Sequence, residues 1–145
     1  MQAQPIETIA HTIQLAVAPV FLLTGVSALL GVFATRLARI VDRARKLHDD
    51  HPDTAAPESR DVHDELVALA ERARMVNLAI SLATATAILV CLVIVLLFLT
   101  SLVTTPLSAL VPVLFIVAMV ALISALGIFL REILVATATL RIGPR

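Results

Sequence analysis

Two long stretches without charged residues constrain the fold of this chain of 145 residues more than any other feature. The first runs from Thr8 to Thr35 and contains 28 residues, none of them Asp, Glu, Lys or Arg. As an α-helix it would be about 42 Å long, whereas the hydrocarbon core of a bilayer is about 30 Å thick. We therefore predict a first transmembrane span over residues 8–35.

The second uncharged stretch, residues 75–130, is too long for one crossing and is interrupted near its middle. Pro106 follows two threonines there, and proline cannot continue a helix. The break predicts two further spans, over residues 76–103 and 107–130. Because 59% of the residues are hydrophobic and only 15% are charged, lipid suits the chain better than water. We expect an all-α membrane protein, a single membrane domain over residues 1–145 with three transmembrane helices.

The eleven lysines and arginines lie in two segments that three crossings place on the same side of the membrane. Eight fall between spans 1 and 2, from Arg36 to Arg74, and three follow span 3, from Arg131 to Arg145. Such an excess marks the cytoplasmic side of a membrane protein. This positive-inside pattern predicts an outside N-terminus, and it predicts a cytoplasmic C-terminus and a cytoplasmic segment over residues 36–75.

The segment between spans 1 and 2 has the apolar repeat of two packed helices. Apolar residues recur at three- and four-residue intervals on both arms, at Leu37, Ile40, Val41, Ala44 and Leu47, and at Val62, Leu66, Leu69, Ala73 and Val76. Between the arms, residues 48–59 contain two prolines and three aspartates, a composition typical of an exposed turn. We predict that spans 1 and 2 extend into a cytoplasmic helical hairpin over residues 36–75, with its tip at 48–59.

Several strings in the chain resemble one bacterial family. They are IQLAVAPVFLLTGVSALLGVFATRLARIVDRAR, ERARMVNLAI, LFIVAM and FLREI, and they extend from about Ile9 to Ile133, with the most specific part at Arg36–Arg45. The chain is similar to the small membrane proteins grouped as domain of unknown function 2721. The resemblance implies a compact three-span protein, for which we expect the bacterial inner membrane, and it carries no activity, substrate or cofactor.

Charged residues crowd the predicted cytoplasmic ends of the spans and form the strongest candidate site. They are Arg36, Arg39, Asp42, Arg43, Arg45, Glu71, Arg131 and Glu132. One interpretation is anchoring, since arginines at a cytoplasmic helix end attract anionic lipid head groups. The other is a collar of ion pairs, in which Glu132 faces Arg36 or Arg39 and fixes span 3 to span 1.

Polar residues inside the predicted spans are uncharged, and Gln14, Asn77, Ser81 and Thr84 are the candidates among them. The helical spacing of Asn77, Ser81 and Thr84 favours helix packing over the lining of a pore. The apolar repeat of residues 62–76 and the small residues on the spans predict a homo-oligomer. His48 and His51 beside aspartates are weak candidates for a metal site, because histidines at an exposed tip are usually solvated. No catalytic motif is recognisable, so we expect neither an enzyme nor a cofactor nor nucleic-acid binding.

Two classes of function remain. The first is a self-associating structural or regulatory membrane module, whose cytoplasmic hairpin docks an unidentified protein partner. The second is a homo-oligomeric ion channel or pore. The absence of charged residues within the spans favours the first class, although uncharged linings can also conduct ions.

Overall fold

The computed structural model describes residues 3–50, 59–102 and 109–139, and these residues form three α-helices. The helices are α1 (Ala3–Asp50), α2 (Ser59–Leu102) and α3 (Leu110–Thr139). Each contains a segment long and apolar enough to cross a membrane, with mean hydropathies of 2.2, 3.0 and 2.9 in chain order. The prediction of an all-α fold with three helices long and apolar enough to cross a membrane is confirmed.

The helices are longer than the predicted spans. α1 does not end at residue 35 but runs to Asp50, since arginine is a good helix former and the apolar repeat continues. α3 continues past residue 130 to Thr139. The predicted break at Pro106 and residues 51–58 of the predicted tip lie outside the described residues.

The outer surfaces of the helices are apolar. Phe21 is 73% exposed, Ile88 is 64% exposed and Ile123 is 65% exposed, one on each helix. In water such side chains would cost free energy, whereas lipid tails solvate them. The surface composition therefore agrees with a protein that lies in a bilayer.

The buried positions follow a repeat of three and four residues. On α2 they include Val76, Ala79, Ala83, Thr86, Val90 and Val93. This repeat averages 3.5 residues per turn, which is the period of left-handed helix packing with interlocking side chains. The small alanines in the series allow neighbouring helix backbones to approach closely.

The chain groups into two compact units. The first comprises Met1–Leu30 and Leu82–Ser124, and its buried apolar residues include Ala16, Val26, Ala83, Val90, Ala118 and Leu122. The second comprises Gly31–Ser81 and Ala125–Arg145, and its buried residues include Phe33, Leu69, Val76, Ala79, Ala125 and Glu132. The buried carboxylate of the second unit makes that unit the place to look for a functional site.

Candidate functional site at the Arg36–Glu132 pair

An aromatic pair joins α1 to α3 in the second unit. The ring centroids of Phe33 and Phe129 are 4.4 Å apart, and the ring planes are inclined by 41°. Phe33 is fully buried, whereas Phe129 is half-buried. Tilted rings at this separation attract each other in addition to the apolar area that they bury. The contact gives α1 and α3 a fixed point of attachment.

One helical turn further along both helices, an arginine meets a carboxylate. Nη1 of Arg36 is 3.5 Å from Oε2 of Glu132, and the two side chains are 39% and 2% exposed. The guanidinium carbon of Arg36 also lies 5.9 Å from the ring centroid of Phe129. A cation over an aromatic face is attracted by the ring, so Phe129 helps to hold Arg36 in place.

The carboxylate of Glu132 is unusual because it is buried without full compensation. Its Oε2 atom accepts no hydrogen bond from any described residue, although Arg36 is close enough for ion pairing. Burying a charge costs free energy unless a counter-charge and hydrogen bonds compensate. Arg36 supplies the counter-charge for this site, and we call the contact the Arg36–Glu132 tie.

The tie and the aromatic pair share one register. Phe33 and Arg36 are three residues apart on α1, and Phe129 and Glu132 are three residues apart on α3. Both contacts advance in the same direction along both helices, so α1 and α3 run parallel where these residues meet. A slip of one residue would break both contacts together, because residues three apart share a helix face and neighbouring residues do not.

A second ion pair joins α1 to α2. Nη2 and Nε of Arg43 both donate to Oε1 of Glu65, at 2.9 Å and 3.2 Å. The side chains are 64% and 43% exposed, so solvent weakens the attraction. The pair shows which residues of the two arms lie side by side, since Arg43 of α1 and Glu65 of α2 are at the same distance from the tip of the hairpin.

The other members of the predicted charge cluster are not brought together. Arg39, Asp42, Arg45, Glu71 and Arg131 are all exposed, and none of them forms a salt bridge with another described residue. Of the two arginines considered for Glu132, the structure selects Arg36. Exposed arginines remain free to reach lipid head groups or solvent.

Glu65 was not among the residues that sequence reasoning singled out. A count along both arms would have pointed to it, because Arg43 lies seven residues before the end of α1 and Glu65 lies six residues after the start of α2. In an antiparallel hairpin, residues at equal distances from the turn face each other. Glu71, which was singled out, lies too far from the turn to face Arg43.

The candidate polar residues of the spans all lie on exposed surfaces. Gln14, Asn77, Ser81 and Thr84 are exposed, and the Ser81 hydroxyl donates to the backbone carbonyl of Asn77 at 3.0 Å. Such a bond to the preceding turn satisfies the hydroxyl within its own helix. The bond of Ser81 therefore lies within α2 and does not connect two helices.

Thr86 is a polar residue that joins two helices in the first unit. It is fully buried, and its hydroxyl lies 2.9 Å from the carbonyl oxygen of Leu82 and 3.3 Å from that of Ala118 on α3. A hydroxyl that bridges two helices in an apolar environment contributes about 0.6–2 kcal/mol. Several threonines on α2 have similar surroundings in the sequence, so sequence alone does not distinguish Thr86.

Of the two weak metal candidates, the structure describes only His48. His48 is exposed in the last turn of α1, and His51 lies outside the described residues. Within the part of the chain that the structure describes, no group of three or more His, Cys, Asp or Glu residues could hold a metal ion.

Comparison with known proteins places the chain in a family. The model of the family described as protein of unknown function DUF2721 matches residues 16–142, which is most of the chain. No curated protein and no solved structure matches it. The match includes all four residues of the aromatic pair and the tie, and it confirms the family that the sequence resembles. The chain belongs to the DUF2721 family.

Proposed function

We propose that this protein is a self-associating structural or regulatory membrane module without enzymatic activity. In this proposal α1 and α2 cross the bilayer and continue as a cytoplasmic hairpin, formed by residues 36–50 and 59–75. The hairpin presents a surface to protein partners, and the membrane part holds it in a fixed position.

The observation that carries the proposal is the Arg36–Glu132 tie. Glu132 is 1% exposed, and its Oε2 atom accepts no hydrogen bond from any described residue, so the ion pair contributes little net stability. In this proposal the tie specifies one arrangement of the helices over others, a role that some buried ion pairs have. Here the tie joins Arg36, the first residue of the hairpin, to Glu132 of α3. This attachment suits a protein whose role is to hold the surface of the hairpin in a fixed position.

Helix length supports placing the hairpin outside the lipid. α1 has 48 residues and α2 has 44, whereas about 20 residues are enough to cross a bilayer. At 1.5 Å per residue, α1 is about 72 Å long. Because charged residues resume at Arg36 after the charge-free stretch of residues 8–35, the part from Arg36 to Asp50 suits water, and the positive-inside rule favours the cytoplasm of a bacterial cell.

Exposed small and polar groups support self-association. A Cβ atom added to Gly31 would meet no atom within 4 Å, so the structure does not use this glycine for packing within the chain. Asn77 is also exposed, and an amide in contact with lipid lacks hydrogen-bond partners. A second copy of the chain can supply both a close neighbour and a polar partner.

A cysteine-labelling experiment tests the topology. In a Cys91→Ser background, Lys46→Cys places a thiol on an exposed face of the hairpin and Ile88→Cys places one on an exposed face of α2. We expect an impermeant maleimide to label Lys46→Cys in inside-out vesicles only, and to label Ile88→Cys in neither orientation. Labelling of Lys46→Cys from the outside would contradict the proposal, and so would its complete protection in both orientations.

Dilution in the bilayer tests self-association. Donor- and acceptor-labelled copies are reconstituted together, and energy transfer is measured as the lipid-to-protein ratio increases. We expect transfer that persists at dilutions where a non-interacting membrane protein gives none. Transfer equal to that of the non-interacting protein at every ratio would overturn the self-association part of the proposal.

A homo-oligomeric ion channel is the second candidate, and one observation favours it. Asn77 and Ser81 are exposed on α2 within a predicted span, where a pore in an oligomer could be lined by uncharged polar groups. Ion flux through purified protein in liposomes tests this candidate. Conductance that Asn77→Leu abolishes would support it, and an absence of flux under any applied voltage would exclude it.

A further inference from the structure

The hairpin has one surface that neither the Arg36–Glu132 tie nor the Arg43–Glu65 pair uses. It is an open groove of about 410 Å³, lined mainly by Ile40, Val41, Ala44, Leu66, Ala70 and Ala73. We call this the hairpin groove. Arg43 bridges the two arms on a different side, because Val41 and Arg43 are about 200° apart around α1. The groove is therefore a mainly apolar surface that neither ion pair covers.

An exposed valine stands beside the groove. Val67 is 46% exposed and follows the groove residue Leu66, with Ala70 one turn further on. Within the described part of the hairpin, it is the large apolar side chain that is most clearly exposed. In water, an apolar groove next to an exposed valine favours association with a matching surface.

The same surface thus carries both an exposed side chain, Val67, and a groove that can receive one. Such a surface can bind an identical surface on a second copy of the chain. In a twofold arrangement, each of two identical surfaces supplies both parts of the contact. Two copies inserted into one membrane with the same orientation have equivalent residues at the same height. An axis along the membrane normal then lets α1 of one hairpin face α2 of the other.

Val41 on α1 and Val67 on α2 lie at the same distance from the tip of the hairpin, so a contact between them across two copies is possible. The Arg43–Glu65 pair defines one level, and Val41 and Val67 each lie two residues further from the tip. Val67 of one copy is consequently at the height of Val41 in the groove of the other. The small side chains of Ala44 and Ala70 leave room for it.

Charges at the edges of the groove match in the same arrangement. Arg45 lies at the α1 edge, and Asp64 is exposed on α2 at nearly the same level. Neither residue forms a salt bridge with another described residue. When α1 of one copy faces α2 of the other, Arg45 of each copy meets Asp64 of the other, so the contact occurs twice.

We infer that the hairpin groove binds the hairpin of a second copy, with Val67 inserted into the groove and Arg45 opposite Asp64. The inference rests on the proposed function, which supplies the self-association and the aqueous position of the hairpin. It adds the surface, the partner residues and the relative direction of the helices.

A charge-reversal pair in the full-length protein tests the inference. Self-association is measured in liposomes by energy transfer between copies labelled through a C-terminal tag. Arg45→Asp and Asp64→Arg should each weaken association by about tenfold, because each places like charges opposite each other. The double variant restores opposite charges and should return association to the wild-type value.

Lys46→Asp is the matched control, since it makes the same charge change one residue away and about 100° around the helix. It should leave association within about twofold of wild type. Val67→Ser should weaken association while leaving the unfolding of the single chain unchanged, because this side chain is exposed in the chain alone.

Three results would overturn the inference. Single reversals that associate as the wild type does would place the interface elsewhere and leave the proposed self-association intact. A double variant as weak as the single variants would refute the arrangement of α1 against α2. A wild-type protein that stays monomeric at every dilution would overturn both this inference and the self-association that underlies it.

Discussion

Glu132 and Arg36 meet at 3.5 Å, yet the two partners differ sharply in their access to solvent. The Glu132 side chain is 2% exposed, whereas the Arg36 side chain is 39% exposed. Loss of Glu132 leaves an arginine that can turn towards water or lipid head groups. Loss of Arg36 leaves a carboxylate sealed in an apolar environment without a counter-charge.

This asymmetry predicts unequal effects of neutralising the two partners. Arg36→Gln should lower the free energy of unfolding by about 3 kcal/mol, because it strands a buried charge. Glu132→Gln should lower it by about 1 kcal/mol, since a partly exposed arginine is readily solvated. The measurement is an SDS titration followed by circular dichroism, because the chain has no Trp or Tyr for intrinsic fluorescence.

The double variant completes a double-mutant cycle, which measures the energy of coupling between Arg36 and Glu132. Arg36→Gln with Glu132→Gln removes the stranded charge, so it should be more stable than Arg36→Gln alone. Effects that simply add would show that the tie does not couple α1 to α3. Equal effects of the two single variants would contradict the predicted asymmetry.

The aromatic pair predicts a large effect of removing a buried ring. Phe33→Ala should lower the free energy of unfolding by about 3–5 kcal/mol, because it opens a cavity where the ring was fully buried. Phe21→Ala deletes the same atoms from a side chain that is 73% exposed, so it is a matched control. The same SDS titration should show almost no change for the control. A loss in Phe21→Ala as large as that in Phe33→Ala would mean that Phe21 is also buried, for example by a second copy.

The three spans could be predicted from the sequence because lipid imposes a strict requirement on it. A segment such as residues 8–35 must lack charge along its whole length, and that signal is visible without knowledge of any contact. The charge-free stretches do not mark the ends of the helices. The helical extension of α1 beyond residue 35 was predicted from a second signal, the apolar repeat between Leu37 and Leu47. The extension of α3 to Thr139 was not predicted, because the third span was taken to end with the charge-free stretch at residue 130.

Contacts between helices were only partly predictable. Glu132 attracted attention because a carboxylate next to an apolar stretch needs a partner, and that reasoning leads to an arginine on another span. The Phe33–Phe129 contact had no such signal, since phenylalanine is one of many apolar residues in the spans. Finding it requires the parallel register of α1 and α3, which is a property of the folded chain.

Thr86 predicts a smaller and more specific effect. Thr86→Val keeps the shape of the side chain and removes the hydroxyl that lies between the carbonyl oxygens of Leu82 and Ala118. The free energy of unfolding should fall by about 1 kcal/mol. Thr24→Val is the control, because the hydroxyl of Thr24 is exposed and donates to the carbonyl oxygen of Val20 in its own helix. Equal losses in the two variants would show that the contact between Thr86 and Ala118 contributes no stability of its own.

Gly31 separates packing within the chain from packing between chains. A Cβ atom added to Gly31 would meet no neighbouring atom within 4 Å, and the same holds for Gly127 on α3. Gly31→Leu should therefore leave the free energy of unfolding of the isolated chain unchanged or slightly increased, since leucine favours a helix over glycine by about 0.5–1 kcal/mol.

If a second copy packs closely against Gly31, the added side chain should weaken association by about tenfold or more, as measured by energy transfer in liposomes. Gly127→Leu should not change association, because nothing in the proposal places α3 at the interface. The opposite pattern, with Gly127→Leu weakening association and Gly31→Leu neutral, would move the interface from α1 to α3.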